Sequence, residues 1–126
     1  MFLRFSTKIL DTDSTRNLGI LVAAHELRDE GNISKDEHEV LRKALKWFNE
    51  QLSIPKILED QEHRRAISWF KPDAREPIRR MWELAELLKY HGIEIEIHKT
   101  NDPGIVIYED GWQVIAKPVK GKKVPW

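Results

Sequence analysis

Glu94, Glu96 and His98 stand two residues apart, and Ile93, Ile95 and Ile97 fill the alternate positions. Period-two alternation makes a strand with the three polar groups on one face. Two carboxylates and an imidazole are suitable ligands for a divalent metal, and Glu109 or Asp110 is a further donor. The competing reading is a solvated sheet face opposite the isoleucines. Same-face residues of one strand lie about 7 Å apart and rarely converge on an ion, so no metal is expected. No cofactor is implied.

A second constellation is basic and aromatic. Arg64, Arg65, Lys71, Arg75 and Arg79 surround Trp69 and Phe70. That composition suits a nucleic-acid or nucleotide surface. The last residues add Lys120, Lys122 and Lys123, with no acid among them. Against this, Arg79–Glu83 and Glu76–Arg80 have the i,i+4 spacing of ion pairs on a solvated helix face. Binding through this cluster would be weak and electrostatic, falling with salt as counterions are released.

No catalytic constellation accompanies these residues. The five histidines lack ligand spacing, and Ser68 has no identifiable base. There is no phosphate loop and no nucleophile elbow. His25 lies near an apolar helix face, as a core or interface histidine. The five tryptophans stand out in a chain of 126 residues. Trp69, Trp82 and Trp112 fit a sheet–helix core. Trp47 adjoins Phe48, and one narrow stripe does not bury both, so Trp47 is the interface candidate.

The composition is that of a soluble globular protein, 40% hydrophobic and 33% charged. A chain of this length buries roughly two-thirds of its unfolded surface and needs no disulfide or metal to fold. It has no cysteine, which removes thiol chemistry. No signal-peptide pattern and no long apolar run occur, so a cytoplasmic protein without a membrane partner is expected. Lys and Arg total 21, as do Asp and Glu. Near-zero net charge favours self-association.

The elements that must position these residues follow from periodicity. Leu3, Phe5, Thr7 and Ile9 predict a first strand. Leu18–Glu30 predicts a helix closed by Gly31. Ser34 and Glu37 form a capping box for a second helix carrying Leu41, Ala44, Leu45 and Phe48. Residues 56–65 are highly charged and predict an exposed loop with a helical turn. Ala66–Phe70 suits a short strand or an extended approach. Asp73 as N-cap with Glu76 predicts the main helix, which runs to His91 and stops at Gly92. Its stripe is Ile78, Met81, Trp82, Ala85 and Leu88.

Three further strands follow, joined by Asn101–Gly104 and Asp110-Gly111. The fold class is α+β. A small antiparallel sheet, made of a C-terminal three-stranded meander plus the N-terminal strand, is packed on one face by about three helices. Residues 1–118 form one domain, and 119–126 form a basic, flexible tail.

Several stretches also carry a resemblance. They are Leu27-Arg28-Asp29-Glu30-Gly31, Trp47-Phe48-Asn49 with Leu52-Ser53-Ile54-Pro55, Ile67-Ser68-Trp69-Phe70, His91-Gly92, and Pro103–Asp110 with Gln113-Val114. As a set they resemble a family of small bacterial proteins known only as hypothetical. The resemblance implies no activity, cofactor or partner. The residues favour a small non-enzymatic binding module, either self-associating as a homodimer or joining a protein partner. The alternatives are the weak anion binder described above and, less favoured, a metal-dependent enzyme.

Overall fold

Alternating apolar residues at the N-terminus form β1 (Phe2–Leu10), as their period predicts. The computed structural model describes residues 1–10, 17–60 and 65–119. After β1 come β2 (Asn17–Gly19), α1 (Ile20–Glu30), α2 (Lys35–Gln51), a 3-10 turn (Lys56–Glu59) and β3 (Ile67–Phe70). The chain continues through α3 (Arg75–Tyr90), β4 (Ile95–Thr100), β5 (Ile105–Glu109) and β6 (Gln113–Lys117). The fold is α+β, with an open antiparallel sheet in the order β2-β1-β3-β6-β5 and β4 paired to β1. No helix among the described residues is long and apolar enough to cross a membrane.

The described chain falls into two compact units. One holds Met1–Arg4, Ser53–Ile78 and the chain from Ile97 on. Here β3 and β6 pair from Ile67↔Ala116 to Phe70↔Gln113, and β5 closes on β6 from Ile105↔Lys117 to Glu109↔Val114. Ile107 is the extra residue of a bulge between Val106 and Tyr108. Gln113, Val114, Ile115 and Ala116 are all buried, so both faces of β6 are covered. The Gln113 side-chain amide donates to the Ser53 carbonyl at 2.8 Å, which brings the segment after α2 against one of them. That segment is not a wholly exposed loop: Ile57 and Leu58 of its 3-10 turn are half-buried.

The other unit holds Phe5–Leu52 and Arg79–Glu96. The capping box of α2 forms as predicted. The Glu37 N–H donates to Ser34 Oγ at 3.1 Å, and the Ser34 N–H donates to Glu37 Oε1 at 3.0 Å. Leu41, Ala44, Leu45 and Phe48 are its buried face. In α1 the buried residues are Ile20, Ala23 and Ala24. His25 is exposed, because it lies about 100° around the helix from Ala24, and so is not a core residue. On the α3 segment of this unit, Met81, Leu84, Ala85 and Leu88 are buried.

Four details depart from expectation. The last three strands do not form a meander: β5 and β6 make a hairpin, but β4 pairs with β1. The Lys8 N–H donates to the Glu94 carbonyl at 3.0 Å just ahead of β4. Leu18 and Gly19, predicted as the start of a helix, instead belong with Asn17 to β2 against β1. The helix α3 starts at Arg75, one residue later than an Asp73 cap implies. Pro77 has no N–H to return to the Asp73 carbonyl, so the first intrahelical bond runs from the Ile78 N–H to the Ala74 carbonyl. Trp82, placed in the core by its spacing, is 40% exposed, while Phe5 holds one edge of its indole.

Candidate functional site

Two members of the basic constellation, Lys71 and Arg79, are paired with carboxylates. Lys71 Nζ lies 2.6 Å from Glu109, and the lysine side chain is 22% exposed. Arg79 reaches Glu83 at 2.7 Å, the i,i+4 pair that the spacing predicts. Arg65 and Arg75 are exposed. Arg64, Lys120, Lys122 and Lys123 lie outside the described residues, as does most of the basic tail. Trp69 and Phe70 are 4% and 8% exposed, so neither offers a ring face for a base to stack on. Lys71 and Arg79 are thus held in surface ion pairs, and Trp69 and Phe70 are buried.

Glu94, Glu96 and His98 are dispersed along and just ahead of β4. Glu94 precedes β4 and pairs with Lys8 at 3.3 Å. Glu96 and His98 sit half-buried within β4, and both are engaged in other interactions. Among the described residues no three of His, Asp or Glu gather where they could hold a metal.

Asp110 is used differently from a ligand. It organises the β5–β6 turn, accepting the Trp112 and Gln113 N–H groups at 2.9 and 3.0 Å. Its second oxygen accepts the Tyr108 hydroxyl at 2.9 Å and the Gln113 amide at 3.2 Å. Burial pushes the Asp110 carboxyl up, but these four donors outweigh it and hold the group below the usual carboxylate range. The same bond, followed by burial, pushes the Tyr108 hydroxyl up. Ser68 Oγ donates to Gln113 Oε1 at 2.9 Å, so its partner is an amide and not a base. The network fixes a hairpin.

That network has a measurable consequence. A carboxyl with a depressed folded pKa binds its proton more readily in the unfolded chain. Its stabilisation is complete above the unfolded value and is lost as pH falls through the folded one. Asp110→Asn keeps one acceptor oxygen but turns an NH₂ toward two donors. In this partly solvated turn the expected cost is about 1–2 kcal/mol at pH 7. Urea unfolding of the two proteins should show the gap shrinking as pH falls through and below the usual carboxylate range. A constant gap would mean the charge is unimportant.

Trp47 is half-buried, with the Arg80 guanidinium 4.4 Å over its ring and the Phe48 ring set edge-on at 5.1 Å. Arg80 thus covers part of the proposed interface residue. Nearby, His91 Nε2 meets Glu37 Oε2 at 2.5 Å, tying the end of α3 to the start of α2. Hydrogen bonding from the Ser34 backbone, then from His91, lowers the Glu37 pKa.

The surface that sequence reasoning missed is the edge of β5, which is free among the described residues. There β5 ends the sheet, with β6 as its partner. Ile105 is 61% exposed and Val106 45%. Sequence shows a strand's faces but not whether it lies at the sheet's border, so the signal available was only an apolar strand without lysine or proline. No protein-family model, no curated protein and no solved structure matches this chain.

Proposed function

We propose that this chain is a non-enzymatic binding module whose partner is a second copy, docked strand to strand along β5. The edge of β5, free among the described residues, is the observation that carries this reading. Sheet edges present unpaired backbone N–H and C=O groups, and edges that must stay single are blunted by lysine, proline or bulges. In β5 four of five residues are apolar, and Glu109 is the only charge. The bulge at Ile107 bends the strand but leaves Ile105 and Val106 exposed.

Electrostatics favour a copy of the same chain. An antiparallel pair centred on Ile107 sets Glu109 opposite Ile105 of the other copy. The two glutamates are then four residues, or roughly 13 Å, apart, beyond the Debye length at physiological ionic strength. Lys71 neutralises each one locally. The chain's net charge is zero, so no long-range repulsion opposes approach. A two-fold pairing also consumes β5 on both copies, which closes the assembly as a dimer.

A short strand pair with two apolar residues per side is a modest interface, with an expected dissociation constant on the order of 10 µM. Sedimentation velocity over a concentration series should show a monomer–dimer equilibrium. Val106→Lys adds a charge at an exposed edge position, so the fold stays intact and the dimer is lost. A wild-type protein that stays monomeric at all concentrations, or a Val106→Lys protein that dimerises equally well, would rule the proposal out.

A further inference from the structure

A separate feature of the second unit lies between the end of α3 and β1. The chain leaves α3 through Gly92, whose φ is +83° and which lines a cleft. The cleft measures 380 Å³ and is lined by Lys8, Lys89, Gly92, Ile93, Glu94 and Ile95. Ile93 and Ile95 are half-buried and supply apolar surface. Beside it, Lys89 Nζ lies 5.8 Å over the ring of the partly exposed Trp82. Phe5, edge-on to that indole at 5.3 Å, holds the ring in place.

We propose that this cleft binds a small amphipathic monoanion: a carboxylate with a flat or short-chain apolar body. The pairing of the lysines selects the class. Two lysines and one glutamate line the cleft, and Glu86 pairs with Lys89 at its border, so 2 − 2 leaves no net charge. A single carboxylate takes the place of one glutamate at one ammonium, whereas a phosphate dianion brings a second charge to a neutral site and faces Glu94. Both ammoniums have acidic partners, Glu94 at 3.3 Å and Glu86 at 3.5 Å. These pairs are exposed, and such pairs are worth about 0–1 kcal/mol, so a ligand carboxylate redirects either lysine at little cost. The volume is near the lower end of small-molecule pockets, roughly 300–1,000 Å³, and fits one or two rings. Because the cleft is shallow, the expected dissociation constant is about 0.1–1 mM.

The test uses 2-naphthoate and the neutral 2-naphthamide as probes, titrated into isotopically labelled full-length protein and followed by amide NMR shifts. Saturable shifts of Lys8, Gly92, Ile93 and Ile95 are expected with naphthoate, and binding about five-fold weaker or more with naphthamide. Lys8→Gln and Lys89→Gln alter exposed side chains and should each weaken naphthoate binding about three- to ten-fold. Lys43→Gln makes the same charge change on exposed α2 and should do nothing. Three outcomes overturn the proposal: no saturation up to about 10 mM, equal affinity for the neutral amide, or equal loss in Lys43→Gln. None of these readouts depends on β5 or on the oligomeric state, so this site stands or falls apart from the dimer.

Discussion

Gly104→Ala is expected to destabilise the protein by about 2–5 kcal/mol, and Gly92→Ala by only about 1 kcal/mol. Both glycines have positive φ, +106° and +83° respectively. An L-residue is strained at either site, so backbone conformation alone does not separate them. Space does. A Cβ on Gly92 meets nothing within 4 Å. A Cβ on Gly104 would lie 2.2 Å from the Lys117 carbonyl oxygen and 3.3 Å from Pro118 Cα. Those are backbone atoms at the end of β6, and they do not swing aside as a side chain would. Relief requires moving the start of β5 away from β6, which breaks the Ile105↔Lys117 register. Small domains have only about 5–15 kcal/mol of stability in total, so the upper half of this range threatens folding. Urea midpoints, with the slope checked for constancy, measure both costs. Equal midpoints for the two variants would show that the close approach at Gly104 relaxes easily.

The same comparison shows what the sequence could and could not reveal. Gly92 was legible as a helix stop because it follows a long apolar stripe at the right offset. The special position of Gly104 depends on Lys117, thirteen residues on, and no local pattern shows that. The capping box at Ser34 and Glu37 was legible because its residues lie within one turn. So were the β5–β6 hairpin, from Asp110-Gly111, and α3, from its period. The three residues of β2 are too few to show alternation, and they exist as a strand because β1 pairs with them. The choice of β1 as partner for β4 is topological. Nothing between Thr100 and Ile105 states it, although Thr100 and Asp102 do build the turn that ends β4. Among candidate sites, the arginines were visible as a cluster, but the Lys71–Glu109 pair spans 38 residues and neutralises part of it unseen. Lys8 and Lys89 come together only through the fold.

Trp69 gives the sharpest separation between two side chains at one site. It is 4% exposed in β3, with Val114 as its cross-strand neighbour. Trp69→Ala removes a large buried ring and should cost about 3–5 kcal/mol. Trp69→Phe is expected to cost within about 1 kcal/mol of nothing, because two changes oppose each other. Phenylalanine fills less of the space and loses some contacts. It also removes the indole N–H, which is buried with no hydrogen-bond partner among the described residues. Leaving such a donor unpaired costs about 1–3 kcal/mol, and the phenyl ring has no donor to leave unpaired. Chemical denaturation of the three proteins orders them as wild type and Trp69→Phe together, with Trp69→Ala far below. If Trp69→Phe fell close to Trp69→Ala, the fit of the indole to its pocket would outweigh its stranded N–H. The same pair of variants bears on function. A tryptophan that stacks on nucleic-acid bases is accessible, and its loss weakens binding while the fold survives. Trp69 is inaccessible, so the Trp69→Phe protein should dimerise through β5 as the wild type does.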